Sequence, residues 1–173
     1  MSNLDLASLV RNIPDFPLPG IQFKDITTLI GNGPAFSQVI SALLERYKAV
    51  RVDAIVGIES RGFIFSAPLA LGLGVGLVPV RKPGKLPADT YQVEYELEYG
   101  SNKLEIHRDA FTPGARVVVV DDLLATGGTI AAATKLIEQA GGSIVELAFI
   151  IELAFLGGRE KLAPYSVFSL LQY

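Results

Sequence analysis

An α/β fold, a doubly wound and mainly parallel sheet with helices on both faces, is predicted by three observations. Short apolar runs recur at Asp53 to Ile58, Gly76 to Val80, Arg116 to Val120 and Ile144 to Ile151, as suits strands covered on both faces. The segments between them place apolar residues at helical spacing. Polar residues able to do chemistry, Glu59-Ser60-Arg61-Gly62, Arg81-Lys82 and Asp121-Asp122, stand directly after three of those runs. Open α/β sheets bind ligands at that end of their strands.

Along the chain, Leu4, Leu6, Leu9 and Val10 predict a short N-terminal helix begun near Ser2. Pro14, Pro17 and Pro19 forbid a regular helix from Ile13 to Gly20, which is read as irregular. Pro34 opens a helix whose Phe36, Val39, Ile40, Leu43, Leu44 and Tyr47 form one apolar face. Gly62 to Val80 is uncharged for 19 residues, close to the ~20 of a membrane span. Pro68, Pro79 and the glycines at 62, 72, 74 and 76 instead divide it into a helix, Gly62 to Leu71, and a buried strand. From Pro83 to Gly114 the alternation breaks, and Tyr91, Val93, Tyr95, Leu97 and Tyr99 recur with the period of an antiparallel arm. The last predicted helix runs from Ile130 to Gln139. No linker, repeat or low-complexity tract interrupts the chain.

A length of 173 residues with 50% apolar content fits one domain with a sizeable core. The formal charge of −3 argues against a broad nucleic-acid or anionic-membrane surface, so anions must be bound by a local cluster. Arg81, Lys82 and Lys85 form the best one. Absence of Cys excludes disulfides, thiolate metal sites and a cysteine nucleophile, and Met1 begins no secretion signal, so a cytoplasmic protein is the simplest reading.

The run from Val117 to Ile130 carries most of the chemistry. Two adjacent ionised Asp are costly to bury, so the strand is expected to end at Asp121. Ala125-Thr126-Gly127-Gly128-Thr129 then offers backbone amides, two residues without Cβ and two hydroxyls at a helix start, a geometry that holds phosphate. Asp121 and Asp122 would repel a bare phosphate but accept from vicinal sugar hydroxyls, so the ligand should carry both groups. The bland reading is a capped strand-to-helix turn with no ligand.

This stretch resembles the phosphoribosyl-pyrophosphate signature of the type I phosphoribosyltransferase family, in the form found in its adenine-using members. Phe16 to Ile26, Glu59 to Phe63, Arg81 to Pro87 and Leu97-Glu98-Tyr99-Gly100 follow in that family's order, so the resemblance spans nearly the whole chain. It implies transfer of phosphoribosyl from phosphoribosyl pyrophosphate to N9 of adenine, within one domain over 1–173 that carries a base-binding hood (1–33) and a flexible arm (82–100). It implies that Ser60, Arg61, Arg81, Lys82, Lys85, Asp121, Asp122 and Ala125, Thr126, Gly127, Gly128, Thr129 bind phosphoribosyl pyrophosphate. Gln22, Phe23, Lys24 and Arg61 would bind adenine, largely through the backbone of the first three. Glu98 would move a proton on the purine and Tyr99 would close the arm. Mg²⁺ would be held through substrate and water, with Asp121 and Asp122 its nearest protein groups and no dedicated cage. A cis peptide at Glu59-Ser60 and a homodimer that brings Arg81 near the partner's site complete the implications.

His107, the only histidine, lacks a motif partner and is read as a strand residue at a surface or interface. Two other functions remain open at this point: transfer to another purine, and a regulator that binds phosphoribosyl pyrophosphate without turnover. The acidic balance and the intact Glu98 segment disfavour the regulator.

Overall fold

In the computed structural model, which describes residues 4–16, 18–20, 22–96 and 101–173, five parallel strands form the central sheet. They are β3 (Ala54–Ile58), β4 (Gly76–Val80), β7 (Ala115–Leu124), β8 (Gly142–Glu152) and β9 (Val167–Gln172), in the spatial order β4-β3-β7-β8-β9. Every residue of β3 is buried, as its unbroken apolar run requires. β9 is a parallel strand that the sequence reading did not predict.

Helices cover both faces. On one, α2 (Gly33–Tyr47) buries Ala35, Val39, Leu43 and Tyr47, every fourth residue, beside α1 (Thr27–Ile30) and α3 (Gly62–Leu73). Asn32 caps α2 by accepting from the Ala35 amide at 3.1 Å. On the other face, α4 (Gly128–Gln139) buries Ile130, Ala133, Leu136 and Ile137 over Val117 and Val119. Alternate residues of the strands separate the two apolar clusters, Ile55, Val118 and Val120 on one face and Val56, Val117 and Val119 on the other. None of the described helices is long and apolar enough to cross a membrane.

Two hairpins flank this frame. The predicted arm pairs β5 (Thr90–Glu96) with β6 (Ser101–His107), antiparallel as its period-two pattern requires. Its base is anchored: Leu104 and Ile106 are core residues, and Tyr91, Val93 and Tyr95 pack against them. Glu98 and Tyr99 lie outside the described residues. In the second hairpin β1 (Arg11–Pro14) pairs with β2 (Gln22–Asp25), so Ile13 and Pro14 leave the stretch read as irregular, while its described residues from Asp15 to Gly20 belong to no helix or strand. Pro14 ends a strand in a two-stranded ribbon, where a missing N–H is tolerated. The expected N-terminal helix shrinks to a single 3-10 turn, Ala7–Leu9.

The expectation that the strand ends at Asp121 is likewise overturned. β7 runs through both carboxylates to Leu124, pairing Leu123 with Ile151 and Leu124 with Glu152. What makes this possible is a partner from elsewhere in the chain.

Candidate active site

That partner is Arg61. Its Nε donates to Asp122 Oδ2 at 2.5 Å, so the charge of a carboxylate that is only 6% exposed is offset at short range. Among the described residues Asp121 forms no ion pair, and its Oδ1 accepts from the Asp122 amide at 2.9 Å. Burial first, and the neighbouring charge of Asp122 second, raise its carboxyl well above the ordinary range. The pair therefore holds one compensated charge and one carboxyl that favours hydroxyls or an approaching cation.

Arg61 is delivered by the turn after β3. The Glu59-Ser60 peptide is cis, as the resemblance implied. Gly62 lies so close to β7 that a Cβ there would come within 2.8 Å of the Val120 carbonyl and 3.0 Å of Asp121 Oδ1. Glycine is thus required for the turn to reach the carboxylates. Glu59 accepts from Arg81 Nε at 3.1 Å and from the Lys82 amide at 3.0 Å, tying the end of β4 to the same turn. Burial opposes ionisation of Glu59, but the Lys82 amide and the Arg81 guanidinium outweigh it and hold the carboxyl below its usual value.

After Leu124 the backbone turns at Gly127, whose φ of +80° suits a residue without Cβ, and α4 begins at Gly128. The loop therefore presents the free amides of a twelve-residue helix. Thr129 Oγ1 lies 3.3 Å from Tyr95 OH on the arm. Together these elements enclose a cavity of about 470 Å³, lined by Ser60, Arg61, Lys82, Asp121, Asp122 and the whole of Ala125 to Thr129. Arg81 and Lys85 are not part of its wall. Arg81 is taken up by Glu59 and by the Lys85 carbonyl, 3.1 Å from Nη1, while the Lys85 amide donates to the buried Glu105.

A second cavity of about 400 Å³ adjoins it, lined by Ile13, Phe16, Phe23, Lys24, Asp25, Ile26, Thr27 and Arg61. Phe16 and Phe23 meet edge to face with centroids 5.2 Å apart, and the Arg61 guanidinium stands 5.9 Å from the Phe23 ring. Lys24 Nζ sits 4.0 Å from the centre of the Tyr173 ring. Gln22 points elsewhere, accepting from Asn12 Nδ2 at 2.7 Å. Asp25, held down to about 2 first by hydrogen bonds from Thr27 and then by Arg11, fixes the hairpin to α1. Arg61 is the residue common to both cavities.

Phe16, Ile13 and Thr27 were not singled out as site residues. The only sequence signal for Phe16 is its place within the Phe16-to-Ile26 segment; nothing marks Ile13 or Thr27. His107 closes β6, with its Nε2 3.5 Å from the Ala88 amide, away from both cavities. Among the described residues no group of three His, Cys, Asp or Glu side chains could hold a metal ion.

Comparison with known proteins gives the family. A family profile described as "Phosphoribosyl transferase domain" matches residues 27–170. Adenine phosphoribosyltransferase of Chloroflexus aurantiacus is 75% identical over 173 residues, covering 100% of both chains. That of Roseiflexus sp. is 68% identical over 98% of each. Among solved structures, the enzyme of Thermoanaerobacter pseudethanolicus superposes with a TM-score of 0.94 at 53% identity, covering 98% of both chains. The Saccharomyces cerevisiae enzyme, complexed with an imino-altritol bisphosphate and adenine, gives a TM-score of 0.91 at 46% identity over 96% of this chain and 97% of that one. The chain belongs to the phosphoribosyl transferase domain family, among its adenine phosphoribosyltransferases.

Proposed function

We propose that the chain transfers the 5-phosphoribosyl group from phosphoribosyl pyrophosphate to N9 of adenine, releasing pyrophosphate and giving AMP in purine salvage. The observation that carries this reading is the adjacency of two unlike cavities, one polar with a helix N-terminus and two carboxylates, the other aromatic, with Arg61 in the wall of both. A sugar phosphate suits the first and a flat base the second.

The amides of Ala125 to Thr129 and the hydroxyls of Thr126 and Thr129 hold the 5-phosphate. Asp121 and Asp122 accept from the ribose hydroxyls. Lys82, with the Ser60 amide, faces the leaving pyrophosphate, and Arg81 and Lys85 add positive charge around it. As the bond from C1 to the leaving oxygen stretches, C1 gains positive character and pyrophosphate gains negative charge, so fixed donors around pyrophosphate lower the barrier without a nucleophilic side chain. Phe23 stacks on adenine, Arg61 lies at its edge, and Gln22 to Lys24 read it through backbone groups. Glu98 moves the proton on the purine and Tyr99 closes over it, on an arm spanning 82–100.

Mg²⁺ fits this site as a substrate-borne ion. The raised Asp121 carboxyl beside Asp122 is an acidic pair that a divalent cation would relieve, and Mg²⁺ tends to keep its waters and use substrate oxygens. When bound, it would neutralise pyrophosphate oxygens. The hood over 1–33, a single domain over 1–173, a cytoplasmic location and a homodimer belong to the same proposal.

Incubation of the purified chain with phosphoribosyl pyrophosphate and adenine, guanine or hypoxanthine, with and without Mg²⁺, tests it. AMP formed with Mg²⁺ and adenine is the expected result. Product from another base instead would move the assignment to a different purine, and ligand binding with no product would make the chain a regulator.

A further inference from the structure

Behind the phosphate loop, on the side away from the cavity, a second segment of backbone lies in direct contact with it. This is the turn Gly157-Gly158, which opens the 3-10 helix Gly158–Leu162. A Cβ on Gly158 would overlap the Ala125 carbonyl, and one on Gly127 would come within 2.6 Å of the Gly158 carbonyl. No side chain can fit between them, so the position of Gly158 sets how far the loop can recede.

Gly158 is in turn fixed by its neighbour. Arg159 donates from Nε to Glu152 Oε1 at 3.0 Å and from Nη2 to Oε2 at 2.5 Å, and its Nη1 reaches the Val167 carbonyl at 2.8 Å. Glu152 is 4% exposed and also accepts from Ser169 and Gln172. Arg159 holds its carboxyl below the ordinary value. Glu152 ends β8 opposite Leu124, the residue before the phosphate loop, and the next amide, Leu153 N, donates to the Leu124 carbonyl at 2.9 Å. A closed triangle results: loop to strand pair, strand pair to Glu152, and Glu152 through Arg159 and Gly158 back to the loop.

We infer that Glu152 and Arg159 are positioning residues for the sugar phosphate, acting through Gly158 as a brace behind the phosphate loop. Neither side chain lines either cavity, so neither touches substrate. The inference rests on the reading of Ala125 to Thr129 as the phosphate cradle. Loss of Arg159 leaves a buried carboxylate unpaired and removes the stop behind the loop. The loop amides then spread from the geometry that a phosphate requires, while the base cavity, built on the other hairpin, is untouched.

The test is steady-state kinetics of the full-length Gly158→Ala, Arg159→Gln, Arg159→Lys and Glu152→Gln variants, varying phosphoribosyl pyrophosphate and adenine separately, with calorimetric binding of ribose 5-phosphate. Because small displacements of positioning groups cost up to about 100-fold, Gly158→Ala and Arg159→Gln should raise KM for phosphoribosyl pyrophosphate about tenfold or more. They should weaken ribose 5-phosphate in proportion and leave KM for adenine within about twofold, since nothing in the base cavity changes. Arg159→Lys, which keeps the charge, should recover part of the loss. Variants with lowered Tm but wild-type KM and ribose 5-phosphate affinity would reduce the brace to a tie between strands and overturn the inference. So would equal losses for both substrates. A wild-type chain that binds no ribose 5-phosphate would instead overturn the cradle reading itself.

Discussion

The two cavities are built from opposite materials. The polar one is cut into the central sheet: β7 lies between β3 and β8, and its loop is backed by Gly158. The aromatic one hangs on β1 and β2, a two-stranded ribbon tied across its strands by the Arg11–Asp25 pair and joined to the body through α1 and Lys24 on Tyr173. The phosphate site proposed for the first would need fixed donors, and the loop that follows β7, a strand paired on both sides, would supply them. The base site proposed for the second would need only a flat apolar slot, which a short hairpin can supply. Substitutions on the two sides should therefore separate cleanly between the substrates.

The largest expected effect lies with neither cavity. If Glu98 transfers a proton to or from the purine, Glu98→Gln should lower kcat by about 10²-fold or more with little change in phosphoribosyl-pyrophosphate affinity. Unchanged single-turnover AMP formation across pH would move catalysis to positioning and electrostatics alone. Next come Asp121→Asn and Asp122→Asn. Each should weaken phosphoribosyl-pyrophosphate binding by roughly 1.5–3 kcal/mol, about ten- to hundredfold, and Asp121→Asn should leave KM for adenine little altered. Asp122→Asn should also release Arg61, so it is the variant that leaks into the base side through the shared residue. A smaller effect is expected from Phe23→Ala, which removes one ring of an aromatic pair worth about 0.5–1.5 kcal/mol. KM for adenine should rise several-fold and KM for phosphoribosyl pyrophosphate should stay put; a matched rise in both would erase the contrast between the cavities.

The smallest effect is one of pH. Asp25 is depressed from 3.8 to about 2 in the folded chain. A depressed carboxyl stabilises the fold above its unfolded value and loses that contribution as pH falls through the folded one. The hairpin should thus stay tied at pH 5 and loosen between about pH 4 and 2, read as lost hydrogen-exchange protection of the β1–β2 amides. Glu152 is also depressed, first by Arg159, so the phosphate loop should loosen on the acid side as well. Loosening above pH 5 would contradict both assignments.

The core of the sheet and the strand–loop–helix order around Gly127 were legible because one uninterrupted segment, Val117 to Ile130, holds strand, carboxylates and helix start together. What escaped depends on partners far along the chain. The burial of Asp122 cannot be seen without Arg61, 61 residues away, and reading the pair alone ended the strand too early. β9 is a six-residue edge strand of a parallel sheet, without the turn signal that marks a hairpin. Near the N-terminus the prolines at 14, 17 and 19 spoke against a regular helix, yet Pro14 ends a strand and the pairing with Gln22 forms all the same. Gly158 carried no signal at all, because its reason is another glycine's carbonyl neighbour and not its own local conformation.

The contact between Gly127 and Gly158 has a consequence for synthesis. A chain emerging from the ribosome completes the Ala125 to Thr129 segment while the backbone that supports it is still some thirty residues from being made, a few seconds at about 5–20 residues per second. During that interval β7 also lacks β8, its neighbour on one side. On the proposed reading of the loop as a phosphate cradle, substrate capture would wait until the growing polypeptide has passed Arg159, and a fragment ending earlier would carry the motif without its support.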